Sequence, residues 1–410
     1  MVQPIDLSDP ESFERGFPHE HFRALRREAP VAWHEGETVA PDYPAEPGPG
    51  YWVVSKYEDI KYVSKNPGLF ASTPSIVIVD PPQAEAQLAP PSMIGMDPPD
   101  HARYRKLVSG GFTPSAIAAQ EPRHRAIVDA ILDPVAQKGE CDFVTEIAAE
   151  LPLRVICEFL GVPEEDRHQV FEWSNRMLGG EDPEYKLPMD EGIRVALEMF
   201  VYANGLAEKR RDAPSDDLIS AMIHGKVDGE QLSIPEFDSF FLLLAVAGNE
   251  TTRNLISHGM LQLIEHPEAY DRLVRQPELI PSAVEEMLRY RPPVMYFRRT
   301  ATRDTEIRGQ KIRKGEKVTL WYPSANRDED VFPDPDRFDI ERSPNDHMAF
   351  GMGQHFCLGS HLARLEIRIM FEQLLRRLPD IELTGPVDYL RSHFIDGVKH
   401  MPVRFTPERV

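Results

Sequence analysis

The feature that most constrains this chain is one long helix. Ser233 followed three residues later by Glu236 is a capping-box signature, with Pro235 in the first turn. The pattern runs on to about Glu265, where His266 and Pro267 close it. At 1.5 Å per residue this is a rod of roughly 48 Å, long enough to cross a whole domain. From Phe240 to Ala247 it is apolar on every side, so this half is predicted to be enclosed all round. The rest of the chain must fold around it.

Apolar positions at three- and four-residue spacing predict amphipathic helices over about Trp52 to Val63, Ala119 to Val135, Val144 to Leu160, Glu191 to Glu208 and Leu362 to Leu378. Strand-like stretches are short: Gly50 to Ser55, Thr305 to Arg308, Lys317 to Tyr322 and Val398 to Phe405. The expectation is a mainly α fold with a minor sheet. No Gly/Ser linker, charge block or repeat divides the chain, so a single domain spanning 1–410 is expected. Prolines cluster at Pro41 to Pro49, Pro81 to Pro99 and Pro323 to Pro344, which predicts long ordered loops between helices.

A formal charge of -21 argues against nucleic acid and anionic membranes as partners, because an acidic surface repels phosphate. Met1 to Phe13 has neither a basic nor an apolar leader region, and no run reaches the roughly 18 apolar residues of a spanning helix. No membrane anchor and a cytoplasmic location are therefore expected. The three cysteines, Cys141, Cys157 and Cys357, are odd in number and far apart, which excludes a disulfide framework or a zinc cluster. Each needs its own account.

The sharpest local signal is Phe350-Gly351-Met352-Gly353-Gln354-His355-Phe356-Cys357-Leu358-Gly359, with a helix expected to start near Leu358 or Gly359. Two glycines permit a tight loop with unusual backbone angles. The cysteine then lands at a helix N-terminus, where free amides and the dipole favour thiolate. A thiolate is a strong iron ligand that pushes electron density onto the metal and favours O–O cleavage. A phosphate loop is the competing reading, but no Lys-Ser/Thr pair follows and no third glycine completes a dinucleotide fingerprint.

Phe350, Gly351, the basic His355, Cys357 and Gly359 together resemble the signature that cytochromes P450 carry around their cysteine. The resemblance runs from about Phe22 to Val403. It implies a helical prism with a small β-rich region and haem b (iron protoporphyrin IX) ligated by Cys357, with Phe350, His355 and Gly359 in the cofactor site. It also implies insertion of one oxygen atom from dioxygen into a substrate.

Ala247-Gly248-Asn249-Glu250-Thr251-Thr252 interrupts the apolar rod. A glycine, a carboxylate and two hydroxyls there cost helix propensity and desolvation, a local conflict of the kind that accompanies function. The segment resembles the oxygen-activation motif of the same family. On that resemblance Ala247 contacts the cofactor, Gly248 lets dioxygen approach, and Thr251 and Glu250 are catalytic: Thr251 holds a hydrogen bond and Glu250 relays protons. The plain alternative is a Thr251 hydroxyl bonded back to the carbonyl four residues earlier.

Glu286 and Arg289 match the family's Glu-x-x-Arg pair, which anchors a meander before the cysteine; Asn326-Arg327-Asp328 and Pro335-Asp336-Arg337-Phe338 resemble that meander. Haem brings two propionates, and arginine's forked donors suit a carboxylate. His101 and Arg105 stand four apart on one helical face, after Asp97-Pro98-Pro99-Asp100, and resemble the propionate-binding pair. Arg299, preferred over Arg298, and His355 match two further contacts.

Candidate substrate-pocket residues are apolar: Ile94, Leu243, Val246, Val294, Met295, Phe297 and Phe394. Such a pocket predicts a lipophilic ligand bound by desolvation. Several segments, Gly397-Val398-Lys399-His400 among them, are similar to bacterial members acting on sterol side chains, terpenoids or branched lipids. The resemblance further implies electrons from a ferredoxin with a separate NAD(P)H-dependent reductase. Arg364, Arg368, Arg376 and Arg377 are the expected basic docking patch, a solvated face being the alternative. A hydrogen-peroxide-dependent peroxygenase, a non-enzymatic haem sensor and a cysteine hydrolase are the rival functions.

Overall fold

A computed structural model describes residues 5–35, 50–80, 92–178, 182–185, 189–227 and 229–408. The helices begin with α1 (His19–Glu28), α2 (Tyr57–Lys65) and α3 (Asp100–Val108). They continue with α4 (Pro114–Ala119), α5 (Glu121–Val135), α6 (Glu150–Leu160), α7 (Arg167–Leu178), α8 (Met189–Asp212) and α9 (Leu218–His224). Then come α10 (Ile234–Glu265), α11 (Pro267–Arg275), α12 (Ile280–Tyr290), α13 (Tyr322–Ala325) and α14 (Ser360–Arg377).

The predicted rod is α10, and its ends are where the capping chemistry sets them. The Ser233 side chain accepts from the Glu236 amide while the Glu236 carboxylate accepts from the Ser233 amide at 2.7 Å, and His266 is the C-cap. From Asn254 to Leu263 every residue is buried. The helix crosses α6, α7, α8, α12 and α14, so the main core is assembled on its surface.

The strands are short: β1 (Val31–His34), β2 (Tyr51–Val54), β3 (Phe70–Ala71), β4 (Glu140–Asp142), β5 (Tyr296–Ala301) and β6 (Thr305–Ile307). The second half adds β7 (Gln310–Ile312), β8 (Lys317–Trp321), β9 (Glu382–Leu383), β10 (Asp388–Tyr389), β11 (Val398–His400) and β12 (Pro402–Arg404). The largest sheet has the order β1-β2-β8-β5-β3, with β2 and β8 parallel and the other pairs antiparallel. A second core lies between this sheet and α2, and a third gathers Phe13, Phe17 and Phe22 around Trp321.

Three predicted helices differ at their ends. Trp52 to Val54 belong to β2, where Trp52 pairs with Val318, so α2 starts only at Tyr57. Aromatic and β-branched residues satisfy both periods over so short a run, and pairing with β8 decides. Gln120 separates α4 from α5, and a π-helical turn at Val144–Ala148 precedes α6. Of the proline-rich loops, residues 41–49 and 81–91 lie outside the described residues. Among the described residues no helix is long and apolar enough to cross a membrane.

Candidate functional site

Gly351 and Gly353 adopt φ of +68° and +76°, so the loop before Cys357 needs the backbone freedom read from its glycines. A Cβ on Gly353 would stand 2.4 Å from the Ser64 carbonyl oxygen of α2, so this loop lies directly on that helix. The Cys357 amide closes the loop on the Phe350 carbonyl at 2.9 Å, and α14 begins at Ser360, slightly later than expected. Burial pushes the Cys357 thiol up, while the Gly359 amide, Arg105 and Arg364 pull it down. Desolvation thus opposes the pull of the loop amide and the two arginines, and a cation at the sulfur would favour thiolate. Phe350 sits under the Arg364 guanidinium, 4.5 Å from its ring centre.

Four basic groups converge beside this loop. The rings of His101 and His355 are 4.1 Å apart, Arg105 donates to the Phe356 carbonyl at 2.7 Å, and Arg299 donates to the Arg298 carbonyl at 2.8 Å. Among the described residues none of the four is hydrogen-bonded to a carboxylate. Burial, then Arg299 and His101, push His355 down to about 3. Burial also lowers His101, Arg105 and Arg299. Among the described residues Arg105 and Arg299 are thus cations without a carboxylate partner beside two imidazoles, a set that two incoming carboxylates would pair. Beside a single thiol, this donor set fits the iron and the two propionates of a haem. Arg298, by contrast, is engaged by Asp80 and the Val77 carbonyl, on the other side of β5.

The centre of α10 presents an open stripe. Leu243, Val246 and Thr251 are half-buried and Ala247 is exposed, all on one helical face, whereas Leu244, Ala245, Glu250 and Thr252 are buried. Glu250 is 3% exposed and pairs with the buried Arg253, with Asn254 donating to the same carboxylate oxygen at 3.3 Å. Arg253 is held in turn by Asn175 of α7 at 2.8 Å. Thr251 donates to the Ala247 carbonyl at 3.0 Å, the back-bond named above as the plain alternative. A Cβ on Gly248 would lie 2.9 Å from Ile156 of α6, so close helix packing also requires a glycine there.

Glu286 and Arg289, both fully enclosed, tie the meander together. Arg289 donates to the carbonyls of Asn326, Pro335 and Arg337, and Glu286 accepts from the Asp339 amide and from Arg342 and Asn345.

The apolar candidates separate into groups. Phe297 and Phe394 meet edge to face at 5.6 Å, and Val294 bridges to Ile395 beside them. Ile94, half-buried, lies in a turn packed on α10. Met295 is 1% exposed among Phe13, Phe22 and Trp321, where it packs the third core instead of lining an open surface.

The arginines of α14 do not form a free basic patch. Arg364 is paired with Glu285, Arg368 with Glu121 and Glu372, and Arg377 with Glu408 and Asp133, while Arg376 bonds Gln373. Glu372 lies on α14 itself at helical spacing, but the other carboxylates come from α5, α12 and the C-terminal tail, which helix spacing alone could not reveal. Sequence reasoning also missed Asn175 and Arg253 beside Glu250, and Ser72, whose hydroxyl lies 3.0 Å from His355. Arg253, three residues after a carboxylate on one helix, was the one with a readable signal.

The cytochrome P450 family model matches residues 194–379. The chain is 44% identical over 393 residues to a methyl-branched lipid omega-hydroxylase of Mycobacterium tuberculosis, covering 94% of this chain and 90% of that protein. It is 41% identical over 410 residues to a steroid C26-monooxygenase of Rhodococcus jostii, covering 99% of this chain and 85% of the relative. A solved Mycobacterium marinum cytochrome P450 in complex with pseudoionone matches with a TM-score of 0.90 at 40% identity, covering 98% of this chain and all of the other.

Proposed function

The chain belongs to the cytochrome P450 family and is a monooxygenase of it, and from that premise we propose that it hydroxylates a lipophilic small molecule, a sterol or steroid side chain, a terpenoid or a branched fatty acid. The observation that carries the substrate class is the Leu243, Val246, Ala247 stripe, open in the middle of a long helix whose opposite face there, Leu244 and Ala245, is buried. A face of this kind binds by desolvation and offers no charged group to orient a polar ligand.

The family's cofactor carries haem iron, which we take to be haem b, and when bound it supplies dioxygen activation and oxygen-atom insertion. Cys357 is its iron ligand in this reading. His101, Arg105, Arg299 and His355 receive its carboxylates, and Ala247, Phe350 and Gly359 border it. Glu250 relays protons in this reading, and the Thr251 hydroxyl, which donates to Ala247, keeps its oxygen free to accept a hydrogen bond. Ile94, Val294, Phe297 and Phe394 shape the apolar side and exclude water.

Residues 1–410 act as one haem-thiolate domain in the cytoplasm, taking electrons from a ferredoxin with a separate NAD(P)H-dependent reductase. The test is a spectral titration with methyl-branched fatty acids, sterols and terpenes, followed by turnover with ferredoxin, reductase and NAD(P)H. A low-spin to high-spin shift and reductant-dependent hydroxylation are expected. A panel without any shift overturns the substrate class, and turnover with hydrogen peroxide alone, at the same rate, overturns the ferredoxin-dependent reading.

A further inference from the structure

Helices α3, α5, α6 and α9 enclose a cavity of about 460 Å³, none of whose lining residues belongs to the Cys357 site. One wall is apolar, built from Leu107, Val155, Phe159 and Leu218, with the Phe112 ring 5.8 Å behind Phe159. The opposite side carries Gln120, His124, Glu158, Asp216 and Asp217, and no lysine or arginine lines it among the described residues. Cavities of this size that combine an apolar wall with a few polar groups are the usual form of a small-molecule site.

Two of those polar groups are unspent. His124 is 2% exposed and its Nδ1 has no hydrogen-bond partner. Glu158 accepts from Arg123 at 2.8 Å through Oε1, but its Oε2 is buried without a partner. A buried polar atom left unpaired is costly, and a donor that reaches it relieves that cost. Burial pushes His124 down to about 4, against the pull of Glu158, so its ring is neutral and can accept a hydrogen bond. Asp217 is engaged by the Ser220 amide and Arg210, and Glu158 by Arg123 through one oxygen only, which leaves the second Glu158 oxygen and the Asp216 carboxylate as the acceptors on the lining. An anion is repelled there; an apolar body carrying hydrogen-bond donors and positive charge is matched on every side.

We propose that this cavity binds an amphiphilic ammonium, its ring against Phe159 and Leu218 and its N–H groups donating to Glu158 Oε2 and His124. Cation and aromatic face attract each other in addition to the ion pair. The site has a route to the first one. Leu107 and Val108 lie in the last turn of α3, the turn that also carries Arg105, with His101 in the first turn of the same helix, so a ligand packed there braces the helix from behind.

The probe is tryptamine, titrated by calorimetry into the ferrous, carbon monoxide-bound holoenzyme, in which the iron's open position is already filled. One saturable equivalent is expected. Glu158→Gln is expected to weaken it about tenfold, which corresponds to about 1.4 kcal/mol. The uncharged isostere 3-propylindole is expected to bind about tenfold more weakly than tryptamine. Ala221→Trp, at an exposed position on the cavity's edge, is expected to abolish binding while the carbon monoxide spectrum stays unchanged. No saturable binding overturns the proposal. So does equal binding to the wild type and both variants, or loss of binding when a lipophilic substrate fills the Cys357 site.

Discussion

Glu286 and Arg289, three residues apart on α12 and both without exposed surface, meet through two hydrogen bonds of 2.7 and 2.8 Å. Everything the pair does not spend on itself goes into the meander that precedes the cysteine loop. Arg289→Met removes the forked partner of the buried Glu286 carboxylate and leaves it Arg342 as its one remaining cation among the described residues, a loss of up to about 3–5 kcal/mol. Chemical denaturation is expected to show that loss, together with a fall in the pigment retained per chain. Arg289→Lys is expected to rescue only part of it, since an ammonium cannot reproduce the fork that reaches Asn326, Pro335 and Arg337 together.

Cys357→Ala is expected to remove the far-red absorption band of the reduced, carbon monoxide-bound protein. Cys357→His is expected to keep the colour and move that band to the position of a histidine-ligated haem. Absorption spectra of the two variants decide; a wild-type band in either one would mean that another residue ligates the iron.

Glu250→Gln keeps the shape of the carboxylate but not its proton chemistry, so product formation is expected to fall by about 10²-fold, the scale of a lost general acid. Spectral binding of the lipid should be unchanged. Thr251→Val keeps the volume and removes the hydroxyl; the ratio of product formed to NAD(P)H consumed is expected to drop, as measured by following both in one assay.

Glu285 accepts from Arg364 at 2.7 and 2.8 Å and lies 3.2 Å from His347. Burial alone would raise its carboxyl, but His347 and Arg364 outweigh it and lower the group from 4.5 to about 2. A folded value below the unfolded one means stability that is complete above pH 4.5 and lost as the pH falls toward 2. The stability gap between wild type and Glu285→Gln should therefore be largest near neutral pH and close over that acid window, as read by denaturation at a series of pH values.

Much of this architecture is legible from short-range rules. The capping box and the His266-Pro267 stop placed α10 to the residue because both are local hydrogen-bond chemistry. The glycine-flanked cysteine is equally local. What escaped is whatever depends on a distant partner: α2 starts late because Trp52 to Val54 pair with β8, Gly248 also packs against Ile156, and Arg364, Arg368 and Arg377 of α14 are paired with carboxylates from other elements. Met295 looked like its apolar neighbours, and only the third core shows that it faces the other way.

The contact between Gly353 and the Ser64 carbonyl leaves room for a hydrogen atom and nothing larger. Two stretches from opposite ends of the chain thus set a common seating, and the sulfur's height above α2 is decided by the first quarter of the polypeptide as much as by the last. During synthesis the α2 half of that seat emerges long before the loop that needs it. Engineering that transplants the cysteine loop into another scaffold must carry the α2 backbone with it.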